Sequence, residues 1–271
     1  MRTSVACLIA FAMTSPVSVA TQESSSGSEP IDVILQYSMI DNVVQGQGAA
    51  VMAQLREGLP GHDEETIGEL EALVLEEYSV DLLRADVRQF MLDQSLPVIL
   101  DDLVGWLGTG AQAEIREIED SYEPPESLQE YAQGLASNPP PEARILLVAE
   151  WARVQGAGDF YVLLQEAARQ AAQEMARLVD PASPAYTPLT EELYLQQVQQ
   201  GFQFALVSFL HRFRPASDEL IRTAITEYER ESGQWYAEAY SFGVAEAIRS
   251  AGRRVQARLN EPGLASPVAS R

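Results

Sequence analysis

Lysine is missing altogether: all 18 basic residues of this 271-residue chain are arginines. That absence removes Schiff-base and pyridoxal-phosphate chemistry and the P-loop, each of which needs a lysine amine. Cysteine is nearly missing too, with Cys7 alone, and imidazole is limited to His62 and His211. Positive charge is scarce beside 40 acidic residues. The formal charge of −22 excludes a broad nucleic-acid surface, which needs a basic face to displace counterions. Residues 21–271 hold no run approaching the roughly 18 consecutive apolar residues of a membrane-spanning helix. What is present, 46% hydrophobic and 21% charged residues, is the composition of a globular chain, long enough for one large or two small domains.

The amino terminus reads as an export signal. Arg2 supplies the positive charge, Val5 to Met13 a nine-residue apolar run, and Ser18-Val19-Ala20 the small residues before a cleavage point after Ala20. Nine apolar residues are too few to cross roughly 30 Å of hydrocarbon. Cleavage leaves 251 residues carrying −23 and removes the one cysteine, so the mature chain is expected to lack disulfides, thiolate chemistry and cysteine metal sites. The expected location is the bacterial periplasm, with secretion as the alternative. Residues 21–29 are a polar tether, too poor in apolar side chains to fold, and residues 260–271 read as a flexible tail.

Between these ends the apolar spacing is helical. Phe160, Leu163, Leu164, Ala167, Ala171, Met175 and Leu178 step by threes and fours, as do Leu195, Val198, Phe202, Ala205, Leu206 and Phe209, and again Ile221, Ala224, Ile225 and Tyr228. Period-two runs bounded by Asn-Gly or Asp-Gly turns do not occur, and the expected fold is all-α. Thr187-Pro188 predicts a helix start, as does the acidic turn Ser217-Asp218-Glu219. Pro97 should break a helical pattern running from Val80 to Leu107 near Leu96, and Asn138-Pro139-Pro140-Pro141 should form a stiff connector.

The pattern repeats. Ile115-Arg116 precedes Tyr122 as Ile221-Arg222 precedes Tyr228, 106 residues later, and each set follows a long helical pattern. The expected organisation is an internal duplication: helical unit 1 over 30–137, the connector 138–141, and helical unit 2 over 142–259. Charge is divided unevenly, with 24 acids and 4 arginines in residues 21–140 and 16 acids and 13 arginines in 141–271.

Asp218-Glu219-Leu220 followed by Tyr228, Gly233 and Gln234 resembles a group of exported bacterial all-helical proteins known only as a domain of unknown function. Their hallmark is Phe-Tyr-x-Ser-Pro-x-Gly-Gln after a Glu-Leu helix start. Glu227, Arg230 and Glu231 depart from it. In the first unit Tyr122 and Pro125 fit, while Pro124 and Ser127 depart. The resemblance spans 31–134 and 142–246, and it implies an exported helical domain without a catalytic assignment. Physically, Tyr228 closes one apolar face, Ser232-Gly233 is expected to turn the chain, and Trp235 opens the next face, so both aromatics are expected to be core.

Catalytic signatures are sparse. Neither histidine has His-Glu-x-x-His spacing, and no Gly-x-Ser-x-Gly elbow occurs. His62-Asp63-Glu64-Glu65 reads as an acidic first turn answering the helix dipole rather than a metal cluster, and His211 as a helix C-terminus where positive charge is welcome. Glu76-Glu77, Asp101-Asp102 and Glu191-Glu192 are adjacent helical acids, not the two facing carboxylates of a glycosidase. Glu231-Ser232 resembles the start of the lytic transglycosylase motif, but the Gly-Leu-Met-Gln element is missing. Arg249, Arg253, Arg254 and Arg258 form a possible contact patch on the last helix, for the acidic half of the chain or a partner. The expectation is a non-enzymatic protein without cofactor or metal that binds an envelope protein or a small hydrophobic ligand. A peptidoglycan-active enzyme is the alternative.

Overall fold

The computed structural model describes residues 30–108, 110–121 and 128–261; the export signal, the tether, Tyr122 and Pro125 lie outside these residues. Among the described residues the regular structure is helical throughout, as expected. The first part comprises α1 (Pro30–Tyr37), α2 (Ile40–Val44), α3 (Gln47–Gly58), α4 (Glu64–Glu77), α5 (Val80–Gln94), α6 (Pro97–Leu107), α7 (Gly110–Asp120) and α8 (Leu128–Ser137). After the prolines follow α9 (Glu142–Val154), α10 (Ala157–Val179), α11 (Glu191–Arg212), α12 (Asp218–Tyr228) and α13 (Glu231–Leu259). No described helix is long and apolar enough to cross a membrane.

Local chemistry sets the boundaries. Asp63 caps α4 by accepting from the Thr66 amide at 2.8 Å, and Ser217 caps α12 by accepting from Leu220 at 3.1 Å. Pro97 sits at the first position of α6 and holds Leu96 extended, dividing the pattern where expected. The start read at Thr187 moves: Thr187 gives its carbonyl to Arg169 at 2.8 Å, and Thr190 is the cap of α11, accepting from Leu193 at 3.4 Å. A recurrence emerges at two other starts. Val44-Gln45-Gly46-Gln47-Gly48 precedes α3 and Val154-Gln155-Gly156-Ala157-Gly158 precedes α10, 110 residues apart. In each, the first glycine is the N-cap and is left-handed, with φ +84° at Gly46 and +64° at Gly156, a conformation that costs a side chain dearly.

Two buried clusters organise the packing. The larger draws on α1–α6 and is completed by Leu164, Ala171 and Met175 of α10 and Val244, Ile248, Ala251 and Val255 of α13. The smaller joins Ala111 and Ile115 of α7, Val148 and Trp151 of α9, Leu210 of α11, Phe213, and Ile221 and Ile225 of α12. The connector at 138–141 therefore does not divide the core. Helices from after it finish the first cluster, and α7 from before it enters the second. Two apolar faces differ from the sequence reading. Leu178 is 40% exposed while Val179 is buried, and Leu195 is 59% exposed, the buried residues of α11 being Gly201, Leu210 and His211.

Ion pairs bind late arginines to early acids. Arg254 donates from Nε to Glu77 at 2.9 Å, from Nη1 to Asp86 at 2.7 Å and from Nη2 to the Glu77 carbonyl at 3.0 Å. Arg258 reaches Glu76 and Glu77, each at 3.2 Å. Beside them the Tyr78 hydroxyl donates to the Ile248 carbonyl at 2.9 Å. Arg249 bonds Gln170, and Arg253 bonds Glu246 and Ser250. The four arginines thus do not stand free as one basic patch; two of them fasten α13 to α4 and α5.

Candidate functional site

On the larger cluster, five aromatic rings form a continuous wall. Tyr228 ends α12, and Tyr236 and Tyr240, four residues apart, share one face of α13. Trp106 joins from α6 and Phe160 from the first turn of α10. The ring centroids are 5.6 Å apart for Trp106–Tyr228, 6.1 Å for Tyr228–Tyr236, 5.6 Å for Tyr236–Tyr240 and 6.0 Å for Tyr240–Phe160. Trp106 and Tyr236 are buried, whereas Tyr228, Tyr240 and Phe160 keep part of their surface open. Of these, Tyr228 was expected to be core; it is half-buried at the edge of the larger cluster.

Charged groups border the wall. Arg116 of α7 stacks its guanidinium 4.3 Å from the centre of the Tyr37 ring and donates to the Leu107 carbonyl at 2.5 Å. One turn on, Glu119 receives Arg212 of α11 at 3.4 Å through Oε1. The Glu119 side chain is 27% exposed. Burial nevertheless raises its pKa, partly countered by Arg212. Burial likewise pushes the Tyr228 and Tyr240 hydroxyls well above the ordinary phenol value, with Glu119 adding to the effect on both. Tyr240 donates weakly to the Ser38 carbonyl at 3.4 Å.

The family-motif residues frame this site. The chain turns at Arg230, whose backbone is extended while Glu229 stays in the helical region, and Ser232-Gly233 lies within the first turn of α13. The expected turn is thus displaced. Gly233 serves close approach instead: a Cβ there would fall 2.5 Å from the Glu227 carbonyl oxygen and 2.6 Å from Tyr228 Cα. Gln234 donates to the Glu229 carbonyl at 3.2 Å, fastening the corner. Ser232 donates to Asp102 and receives Trp106 Nε1 at 3.1 Å, so the motif serine positions the indole at one end of the wall. Trp235, half-buried, donates to the Gln94 carbonyl at 3.2 Å. Glu227, buried, receives Gln112 at 3.1 Å and joins α12 to α7, burial raising its pKa.

The other singled-out groups have structural surroundings. Asp63 is a cap and Glu64 and Glu65 are exposed in the first turn of α4. No group of three or more potential metal ligands assembles among the described residues. His211 differs from expectation. It is buried against the Tyr131 ring at 4.6 Å and lies 3.0 Å from Arg214, and burial with Arg214 and Arg212 lowers its pKa, so near neutrality the imidazole is uncharged at that helix end. Glu231 is exposed at the start of α13. Glu76 and Glu77 meet arginines, and Glu191 and Glu192 sit in the first turn of α11.

Residues that sequence reasoning passed over, namely Tyr37, Glu119, Arg212, Tyr236 and Tyr240, make most of the site. The i,i+4 spacing of Tyr236 and Tyr240 after Tyr228 was a readable signal. Glu119 and Arg212, 93 positions apart, offered none. Compared with known protein families, curated proteins and solved structures, the chain matches none.

Proposed function

We propose that this is an exported, non-enzymatic binding protein of the bacterial cell envelope, and that its ligand is a small molecule with an apolar body seated against the tyrosine wall. The observation that carries this reading is the continuous row of aromatic rings, of which Tyr228, Tyr240 and Phe160 keep part of their surface open. Aromatic rings supply contact area at little entropic cost, and a few unpaired polar atoms fix orientation, the usual composition of a ligand pocket. Export is supported by the charge, apolar run and small residues of positions 2–20. Kinship with the exported domain of unknown function is supported by Tyr228, Gly233 and Gln234, which jointly build the corner carrying the wall.

Descent from an internal duplication belongs to the same proposal. Two left-handed glycine caps recur in Val-Gln-Gly-x-Gly, 110 residues apart.

Titration of the mature protein with the neutral dye Nile red tests the binding reading. One saturable site is expected, with affinity reduced at least tenfold in Tyr240→Ala. An unsaturable signal, or equal affinity in the variant, defeats it.

A further inference from the structure

We propose that a second face of the protein, the strip where α13 runs beside α5, docks a cationic amphipathic helix of a partner protein. This face is separate from the tyrosine wall. Tyr236 and Tyr240 lie on one stripe of α13. Glu231, Trp235, Glu238 and Phe242, at intervals of four, three and four, lie on another. Both acids are exposed, Trp235 is half-buried, and Phe242 is 50% exposed. Along this stripe acid therefore alternates with aromatic. Helix α5 widens it. Trp235 Nε1 donates to the Gln94 carbonyl at 3.2 Å, and a Cβ built on Gly243 would fall 3.2 Å from Phe90 Cδ1. Phe90 is half-buried, and Asp93, one turn after it, is exposed. Two and four residues beyond Gln94, Leu96 is 58% and Val98 73% exposed. Single exposed apolar residues are ordinary on a surface, but a run of them beside one helix pair marks a contact surface.

Charge identifies the occupant. Glu231, Glu238 and Asp93 line the strip, and arginine enters α13 only beyond Phe242, at positions 249, 253, 254 and 258. Arg230, just before the helix, faces Asp102 at 3.9 Å. A second copy of this strip, or an anionic lipid surface, would set like charge against like. The segments of this chain outside the described residues do not supply the complement either, since residues 21–29, 122–127 and 262–271 contain Arg271 as their one basic residue. Trp235 and Phe242 are seven residues apart, about 10 Å along the axis. A partner helix with apolar side chains seven residues apart and lysine or arginine between them meets both rings and both glutamates, the helix-on-groove mode of recognition. The charge of −22 adds long-range steering of such a cation.

Three fluorescein-labelled, amidated 18-residue peptides, titrated against the mature protein by anisotropy, decide the matter. One is built of leucine and lysine with the leucines on one helical face. The second has glutamate for lysine, and the third serine for leucine. The leucine–lysine peptide is expected to bind at least tenfold more tightly than either counterpart. Phe242→Ser and Glu238→Lys, both at exposed positions, are each expected to weaken it at least fivefold with the helical circular-dichroism signal intact. Leu195→Ser, at an exposed position of α11, is expected to leave it within twofold. Equal binding of the leucine–lysine and serine–lysine peptides, or an equal loss in Leu195→Ser, reduces the attraction to net charge and overturns the proposal. A dimer of the protein alone, seen by sedimentation and lost in Phe242→Ser, gives the strip to a second copy and overturns it as well. Nile red does not enter this test, so the wall and the strip stand or fall separately.

Discussion

A methyl group at position 233 would have to share space with the backbone. The ideal Cβ position lies 2.5 to 2.7 Å from the Glu227 and Tyr228 carbonyl oxygens and Tyr228 Cα, and the end of a helix yields less readily than a side chain. Gly233→Ala is therefore expected to lower unfolding stability by roughly 1–3 kcal/mol, as overpacking does. Gly134→Ala in α8, where nothing lies within 4 Å, is expected to be neutral or to add up to about 1 kcal/mol through helix propensity. Urea denaturation of both variants checks the contrast, and equal midpoints would remove the close-approach argument. The sequence singles out Gly233 because glycine between two apolar helical stripes is conspicuous, but it does not reveal whether a turn or a close approach demands it. That depends on how nearly α12 meets α13, a tertiary quantity. Glu119 is the harder case. It reads as one acid among four in Glu114, Glu117, Glu119 and Asp120, and only the arrival of Arg212 sets it apart.

At the scale of elements, the junction of α13 with α4 and α5 is held by a partly buried network of ion pairs. Glu77 is 8% exposed and receives Arg254 Nε, while the same guanidinium also satisfies the Glu77 carbonyl and Asp86. Truncating Arg254 to Ala leaves a buried carboxylate with Arg258 as its remaining ion-pair partner. The loss is expected to be roughly 1–3 kcal/mol, the cost of stranding a mostly buried charge, discounted because Arg254 keeps 31% of its side-chain surface. Arg258→Ala, in a solvent-screened pair with Glu76, is expected to cost clearly less. Comparable shifts in thermal midpoint for the two would contradict this. Element boundaries were largely legible, because caps and prolines act within a few residues: Asp63, Pro97, Pro141 and Ser217 all stand where chemistry places them. Thr190 outcompetes Thr187 because Arg169, 18 residues earlier, claims the Thr187 carbonyl. The assignment of α7 to one cluster and of α10 and α13 to the other was not legible. Helical periodicity names the buried face of a helix but not the helix that covers it.

For the whole molecule, the pH profile of stability follows from groups whose protonation the fold alters. Burial lowers the pKa of His211, helped by Arg214 and Arg212. The unfolded chain then binds a proton more readily than the native one, so this histidine's contribution is complete above the unfolded value of about 6.5 and is lost as pH falls below it. Burial raises Glu119 and Glu227. Their native forms hold protons that the unfolded forms release, so stability from them falls as pH rises through the interval above the unfolded carboxylate value. The alkaline side is less mixed. Tyr78, Tyr228, Tyr236 and Tyr240 are all raised chiefly by burial, and Tyr194 is pushed up to about 12 with Asp159 assisting. Above the unfolded phenol value of about 10, the unfolded chain ionises tyrosines that the native chain keeps neutral, and stability drops with each further pH unit. Absorbance at 295 nm should therefore show the less buried tyrosines titrating first. The wall tyrosines should follow in one cooperative step that coincides with loss of the helical circular-dichroism signal. Replacing Tyr228, Tyr236 and Tyr240 together by Phe should remove that step's tyrosinate amplitude and move alkaline unfolding to higher pH. Smooth, independent ionisation of all tyrosines near pH 10 with the helix intact would show that the wall is not desolvated, and the site built on it would fall with it.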